Sequence, residues 1–137
     1  MPAYIASSAA LPITNLNPGS SVAVFSAEAV TTGERSQALA LTNYPQGGAT
    51  PTSLDIVFSG TPGAFTFNVS FAANDAAANY ACPDGTYQIT AANLDTAVGG
   101  PNAAVHFDVP FSNARFICIY VVLQPANSVT VTATFKR

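Results

Sequence analysis

Charge is what this sequence has least of. Of its 137 residues four are Lys or Arg and seven are Asp or Glu, 8 % in all, with a net charge of −3; about 25 % is usual in soluble domains. Two of the four cations, Lys136 and Arg137, lie side by side, and the others, Arg35 and Arg115, are far apart in sequence. Phosphate backbones and anionic membranes need several Lys or Arg on one face. No nucleic-acid and no membrane partner is therefore expected. No segment approaches the about 18 apolar residues of a membrane span. The first residues, MPAYIASSAALPITNLNPGSS, lack a basic n-region and are interrupted by Pro2, Pro12 and Pro18, which makes a poor signal peptide.

Groups that do chemistry are equally scarce. There is one histidine and no tryptophan. A hydrolase triad needs a histidine base. His106 sits in an alternating segment on the side away from Val105 and Phe107, where a solvent-facing or interface role is expected. Nothing in the sequence brings two carboxylates together as a glycosidase pair. Gly47-Gly48 and Gly99-Gly100 lack the lysine of a phosphate-binding loop. Asp75, Asp84 and Asp95 fall in loops, without calcium-loop spacing, and read as turn residues rather than metal ligands. Cys82 and Cys118 are too few for a disulfide framework, and free, buried thiols are expected, since Cys118 lies in an apolar run. Asn68-Val69-Ser70 matches a glycosylation acceptor by chance, in mid-strand. The reading is a protein that is not an enzyme and carries no cofactor and no metal.

Apolar residues make up 49 % of the chain. A single domain of this length buries roughly two thirds of its unfolded surface. Its exterior must then be wetted by Thr, Ser, Asn, Gln and backbone. A surface so weakly charged repels neighbours poorly, which favours life in an assembly.

The pattern is β. Residues 1–21 have no charge and three prolines, and read as an extended arm able to reach about 65 Å if fully stretched. Tyr4, Ile5, Leu11, Ile13 and Leu16 on it need burial, along their own domain or across a neighbour's. From residue 22 to 137 short strands alternate with turns. Val22–Val30 leads to a turn at 31–34; Leu39 and Leu41 share one face of the next strand. Leu54, Ile56 and Phe58 share a face before Gly60-Thr61-Pro62-Gly63. Phe65, Phe67, Val69 and Phe71 oppose Thr66, Asn68 and Ser70, the alternation of a half-buried strand. Ala72–Tyr80 reads as a helical turn or a loop, and Pro83-Asp84-Gly85 as a turn. Tyr87–Thr90, Ala103–Val109, Ala114–Gln124 and Ser128–Phe135 complete the set. About eight or nine strands with almost no helix indicate an all-β, single-domain antiparallel β-sandwich, jelly-roll-like, with an N-terminal arm. An immunoglobulin-like sandwich is the alternative, although it normally carries a Cys–Trp–Cys arrangement.

Arg115-Phe116-Ile117-Cys118-Ile119-Tyr120-Val121-Val122-Leu123 does not alternate. Ile and Val enrichment favours a strand, and both its faces are apolar. Phe116, Cys118, Tyr120 and Val122 line one face, and Ile117, Ile119, Val121 and Leu123 the other. One set fills the core beside Phe67 and Val131. The other needs a cover from its own arm or from a neighbouring subunit, so Ile117, Ile119, Val121 and Leu123 join the arm residues as candidate interface.

The order AFTFNVSFAAND, CPDGTYQITAAN, AAVHFDVPFSNARFICIYVVL, SVTVTATFKR, with Val109-Pro110-Phe111-Ser112-Asn113-Ala114-Arg115-Phe116 before the long strand and Val129-Thr130-Val131-Thr132-Ala133-Thr134 in the last, resembles small β-sandwich virion proteins of tailed bacteriophages, the capsid decoration or cement proteins. The resemblance covers residues 64–137 and carries over no functional residue. It implies a jelly-roll-like homo-oligomer on the outer surface of the capsid, with the major capsid protein as partner, acting by stabilisation. A tail, fibre or spike component binding a host receptor or glycan through loops 45–51, 72–86 and 93–102 is the alternative.

Overall fold

A computed structural model describes residues 4–5, 11–17, 19–41, 52–73, 80–82, 88–93, 104–109 and 114–137. Among these the chain is all-β: β1 (Tyr4–Ile5), β2 (Ile13–Asn15), β3 (Ser21–Glu28), β4 (Glu34–Arg35), β5 (Ala38–Ala40), β6 (Thr52–Phe58), β7 (Thr66–Ala72), β8 (Gln88–Thr90), β9 (Ala104–Val109), β10 (Phe116–Leu123) and β11 (Val131–Lys136), with one 3-10 turn at Ala91–Asn93.

Two sheets form. One is four-stranded in the order β3-β11-β6-β9, with every pair antiparallel. The other is seven-stranded and centred on β10. One side of β10 pairs with β7, and β7 with β8. Its other side pairs with β5 at Phe116 and Ile117 and with β4 at Tyr120. The arm lies along the far side of that pair: β1 runs antiparallel to β4, and β2 parallel to β5. The described part of the arm therefore lies on its own domain, as two short strands of the β10 sheet.

β4 and β5 are one strand broken at Ser36-Gln37, and the break has a chemical cause. The buried Ser36 hydroxyl accepts the Ile119 N–H at 2.9 Å and donates to the Gln37 carbonyl at 2.9 Å. The Ser36 N–H in turn donates to the Ile119 carbonyl at 2.8 Å. A side chain thus takes the place of a backbone acceptor in the ladder. A second irregularity bends β3, where Ala27 adopts φ 51° and its N–H donates to the Thr132 hydroxyl at 3.0 Å. The β3–β11 register shifts on either side of Ala133, which marks a bulge.

The core fills the space between the sheets. Leu54, Ile56, Phe58, Val131, Ala133 and Phe135 from the four-stranded sheet meet Phe67, Val69, Ile117, Ile119 and Val121 from the other. Phe58, Phe65 and Phe67 form an aromatic cluster, with ring centroids 4.9 Å apart for Phe58–Phe65 and 5.2 Å for Phe65–Phe67. Each such buried ring contributes about 1.5–3 kcal/mol of transfer free energy. Phe71, on the same face, is only half-buried.

Ser36→Ala tests the broken strand. It leaves the Ile119 N–H without an acceptor inside the protein, so a loss of about 1–3 kcal/mol in urea unfolding is expected. Gly33, by contrast, has φ 92° and open space around it, and it reaches β10 through its backbone alone, its N–H donating to the Val121 carbonyl at 2.8 Å.

Candidate interaction surface

The sequence supplies a list of candidate interface residues, and the structure separates it. Leu11 is buried, and Leu16 is fully buried within the main core. Ile117, Ile119 and Val121 are also fully buried there. These five are corrected: they meet their own chain, because the opposite sheet and the arm supply the cover for which a neighbour was a candidate. Tyr4 is half-buried. Ile13 at 40 % and Leu123 at 47 % remain exposed, and Val57 at 39 % joins them. The backbone of Ile5 pairs with Glu34, and its side chain lies outside the described residues. So do Asp75, Asp84 and Asp95, most of the loops expected to form a receptor-binding edge, and Pro110 to Asn113 of the motif before β10.

The other face of β10 has its own small core. Leu11, Ala38, Ala72, Tyr80 and Cys118 are buried together, with Tyr4 and Phe116 packed against them. Tyr80 reaches this position because Ala81 bridges to the edge of β7, exchanging N–H···O bonds with Phe71 at 2.9 and 3.0 Å. Burial pushes the Cys118 thiol up to about 12, with the Arg35 guanidinium beside it pulling the other way. An inert thiol follows. Both cysteines are free, but Cys82 is only half-buried.

Arg35 closes the rim of this small core. Its guanidinium carbon lies 4.5 Å from the centre of the Tyr120 ring and 5.9 Å from that of Tyr80. Both distances suit cation–π attraction. The sequence marked Arg35 only as an isolated cation, since its position opposite Tyr120 depends on the pairing of β4 with β10.

A separate charged cluster stands on the outside of the four-stranded sheet. His106 Nδ1 is 2.6 Å from Asp55 Oδ1 and its Nε2 is 3.3 Å from Asp108 Oδ1; Lys136 Nζ is 2.8 Å from Asp55 Oδ2. The register sets this up: Asp55 lies opposite His106 on β9, and Lys136 lies opposite Ser53 on β6. Alternation had already turned His106 outward, as expected, but its partners became visible only with the strand pairing. The hydrogen bond from Lys136, followed by that from His106, lowers the Asp55 pKa. The hydrogen bond to Asp55 is the main cause that raises the His106 pKa. Among the described residues no group of three or more His, Cys, Asp or Glu is placed to hold a metal ion.

Comparison with known protein families, with curated protein sequences and with solved structures finds no match to this chain.

The cluster makes a pH prediction. His106, raised in the fold, stabilises fully below about pH 6.5, its unfolded pKa, and loses that contribution as pH rises through the folded value. Asp55, lowered in the fold, stabilises above about pH 4 and loses its contribution as pH falls through its folded value. His106→Asn should therefore cost stability near pH 5.5 and little at pH 8. The cost is about 0.2–1 kcal/mol, the range for pairs open to solvent. Thermal melts at the two pH values check it, and an equal cost at both would contradict it.

Proposed function

We propose that this chain is a structural virion protein of the jelly-roll type, a capsid decoration or cement protein that binds the major capsid shell and stabilises it through homo-oligomeric contacts. The observation that carries the proposal is the strand order. Counting β4 and β5 as one strand and leaving out the arm, eight strands run in the order 1-8-3-6 in one sheet and 2-7-4-5 in the other. Each neighbouring pair among them is antiparallel. That order supports a jelly roll, an architecture used by viral capsid and lectin domains.

Fold alone does not choose among the uses of that architecture. Two further features favour a shell. The sequence of residues 64–137 resembles decoration proteins, and the charge-poor exterior offers little repulsion between copies. Anything that binds only the closed shell raises the cost of opening it, and many symmetric copies multiply weak contacts. In this reading the arm completes the subunit, and docking falls to exposed apolar positions such as Ile13 and Leu123.

The test is to add the purified protein to shells that lack it and heat them. The protein should bind and raise the disassembly temperature, and the double variant Ile13→Ser, Leu123→Ser should bind more weakly with its own melting temperature little changed. Failure to bind or to stabilise the shell overturns the proposal. Staining of host cells by labelled protein, at a few copies per particle, would favour the tail or fibre reading.

A further inference from the structure

Arg35 has two unmet bonds in a chain that has few charges to misplace. Its Nε and Nη1 are shut off from solvent and have no hydrogen-bond partner. Among the described residues no carboxylate pairs with it; the ion pairs lie instead around Asp55 and His106. A third unmet atom lies on the same row. Asn68 Oδ1 is also buried without a partner. The register joins the two: Tyr4, Arg35, Tyr120, Asn68 and Gln88 are successive cross-strand partners on β1, β4, β10, β7 and β8. Arg35 and Asn68 thus flank Tyr120, two strand spacings or roughly 10 Å apart. Tyr4, Arg35, Tyr120 and Asn68 are half-buried and Gln88 is exposed, so the row opens to solvent at its β8 end.

We propose that this row binds an acidic sugar, a uronic or sialic type of ring whose carboxylate pairs with Arg35 and whose hydroxyls reach Asn68 and Gln88. A buried donor without an acceptor is disfavoured, and a buried unpaired charge more so. A ligand that meets those N–H groups removes the penalty. The guanidinium is a planar fork matched to a carboxylate, and stacking on Tyr120 holds it at the rim of the small core. Turning the flexible stem brings the sealed N–H groups to the ligand. A single cation suits a singly charged carboxylate, whereas phosphate-rich ligands draw on several cations. The unmet carbonyl of Asn68 takes a hydroxyl donor, which a sugar ring has and an acidic peptide side chain lacks. The proposal stands apart from the shell reading, since it concerns the face of one subunit.

The experiment is an NMR titration of the folded protein with sodium glucuronate, glucose, acetate and an oligoglutamate peptide. Glucuronate should shift the signals of Arg35, Tyr120 and Asn68. Glucose and acetate should each bind at least about tenfold more weakly, since each offers only half of the chemistry. Arg35→Gln should abolish the shifts, and Arg35→Lys should weaken binding at least about tenfold because the fork is lost. Asn68→Ala should weaken it about threefold or more. If Arg35→Gln does not fold, Arg35→Lys and Asn68→Ala carry the test. The proposal is overturned by no response to glucuronate, by acetate binding equally well, by retained binding in the Arg35 variants, or by oligoglutamate binding more tightly than glucuronate.

Discussion

The rest of the fold depends on covering β10 from both sides. A strand with Ile117, Ile119 and Val121 on one face and Phe116, Cys118 and Tyr120 on the other cannot be the outer layer of a sandwich, where one face meets water. The four-stranded sheet covers the first set. The second set is covered by the arm through Leu11 and Tyr4 and by Tyr80 from the edge of β7. The described part of the arm thus extends the β10 sheet sideways while its Leu11 and Tyr4 side chains help close the small core on the outer face. Its far end reaches further still: Leu16 enters the main core, its carbonyl accepts Arg137 Nη1 at 2.7 Å, and its N–H donates to the Ala40 carbonyl at 2.9 Å. The Gly19 N–H donates to the Arg137 carbonyl at 2.7 Å. The end of the arm and the end of β11 thus hold each other.

Much of this was legible from periodicity. The alternation in Thr52–Phe58 and in Val131–Lys136 identified their buried faces, and the absence of alternation in β10 showed that it needed two covers. The strand assignments hold for β3, β6, β7, β8, β9, β10 and β11, although β7 begins after Phe65 and β11 after Thr130. What the sequence could not give was register. Which face of β10 met the sandwich, and who covered the other, depends on pairing between residues more than eighty positions apart, such as Ser36 and Ile119. The strand break at Ser36-Gln37 was hidden for the same reason, because a serine hydroxyl standing in for a carbonyl leaves no periodic trace. The arm strands were hidden as well. Two or three residues with proline nearby carry no β pattern of their own, and tertiary pairing decides them.

The same dependence on register shapes the candidate sites. Arg35, Tyr120 and Asn68 come from three strands, and so do His106, Asp55 and Lys136. Single charges scattered in sequence become two local features on opposite sheets. One is an open ion cluster on the four-stranded sheet whose bonds are met. The other is a cation held between tyrosines on the β10 sheet whose bonds are not. The proposed shell contacts would use exposed apolar positions, and the proposed recognition of a small anion would use the Arg35 row. The two surfaces do not compete for residues.

The central claim is that the chain itself covers β10, and removal of residues 1–17 tests it most directly. The measurement is urea unfolding together with alkylation of Cys118, in a Cys82→Ser background so that one thiol reports. Loss of Leu16 alone should cost about 2–5 kcal/mol as a large-to-small core change. The shortened chain should therefore melt far below the full chain or fail to fold cooperatively, and Cys118 should become reactive under native conditions. A shortened chain that unfolds at the same urea concentration and keeps Cys118 protected would contradict the account.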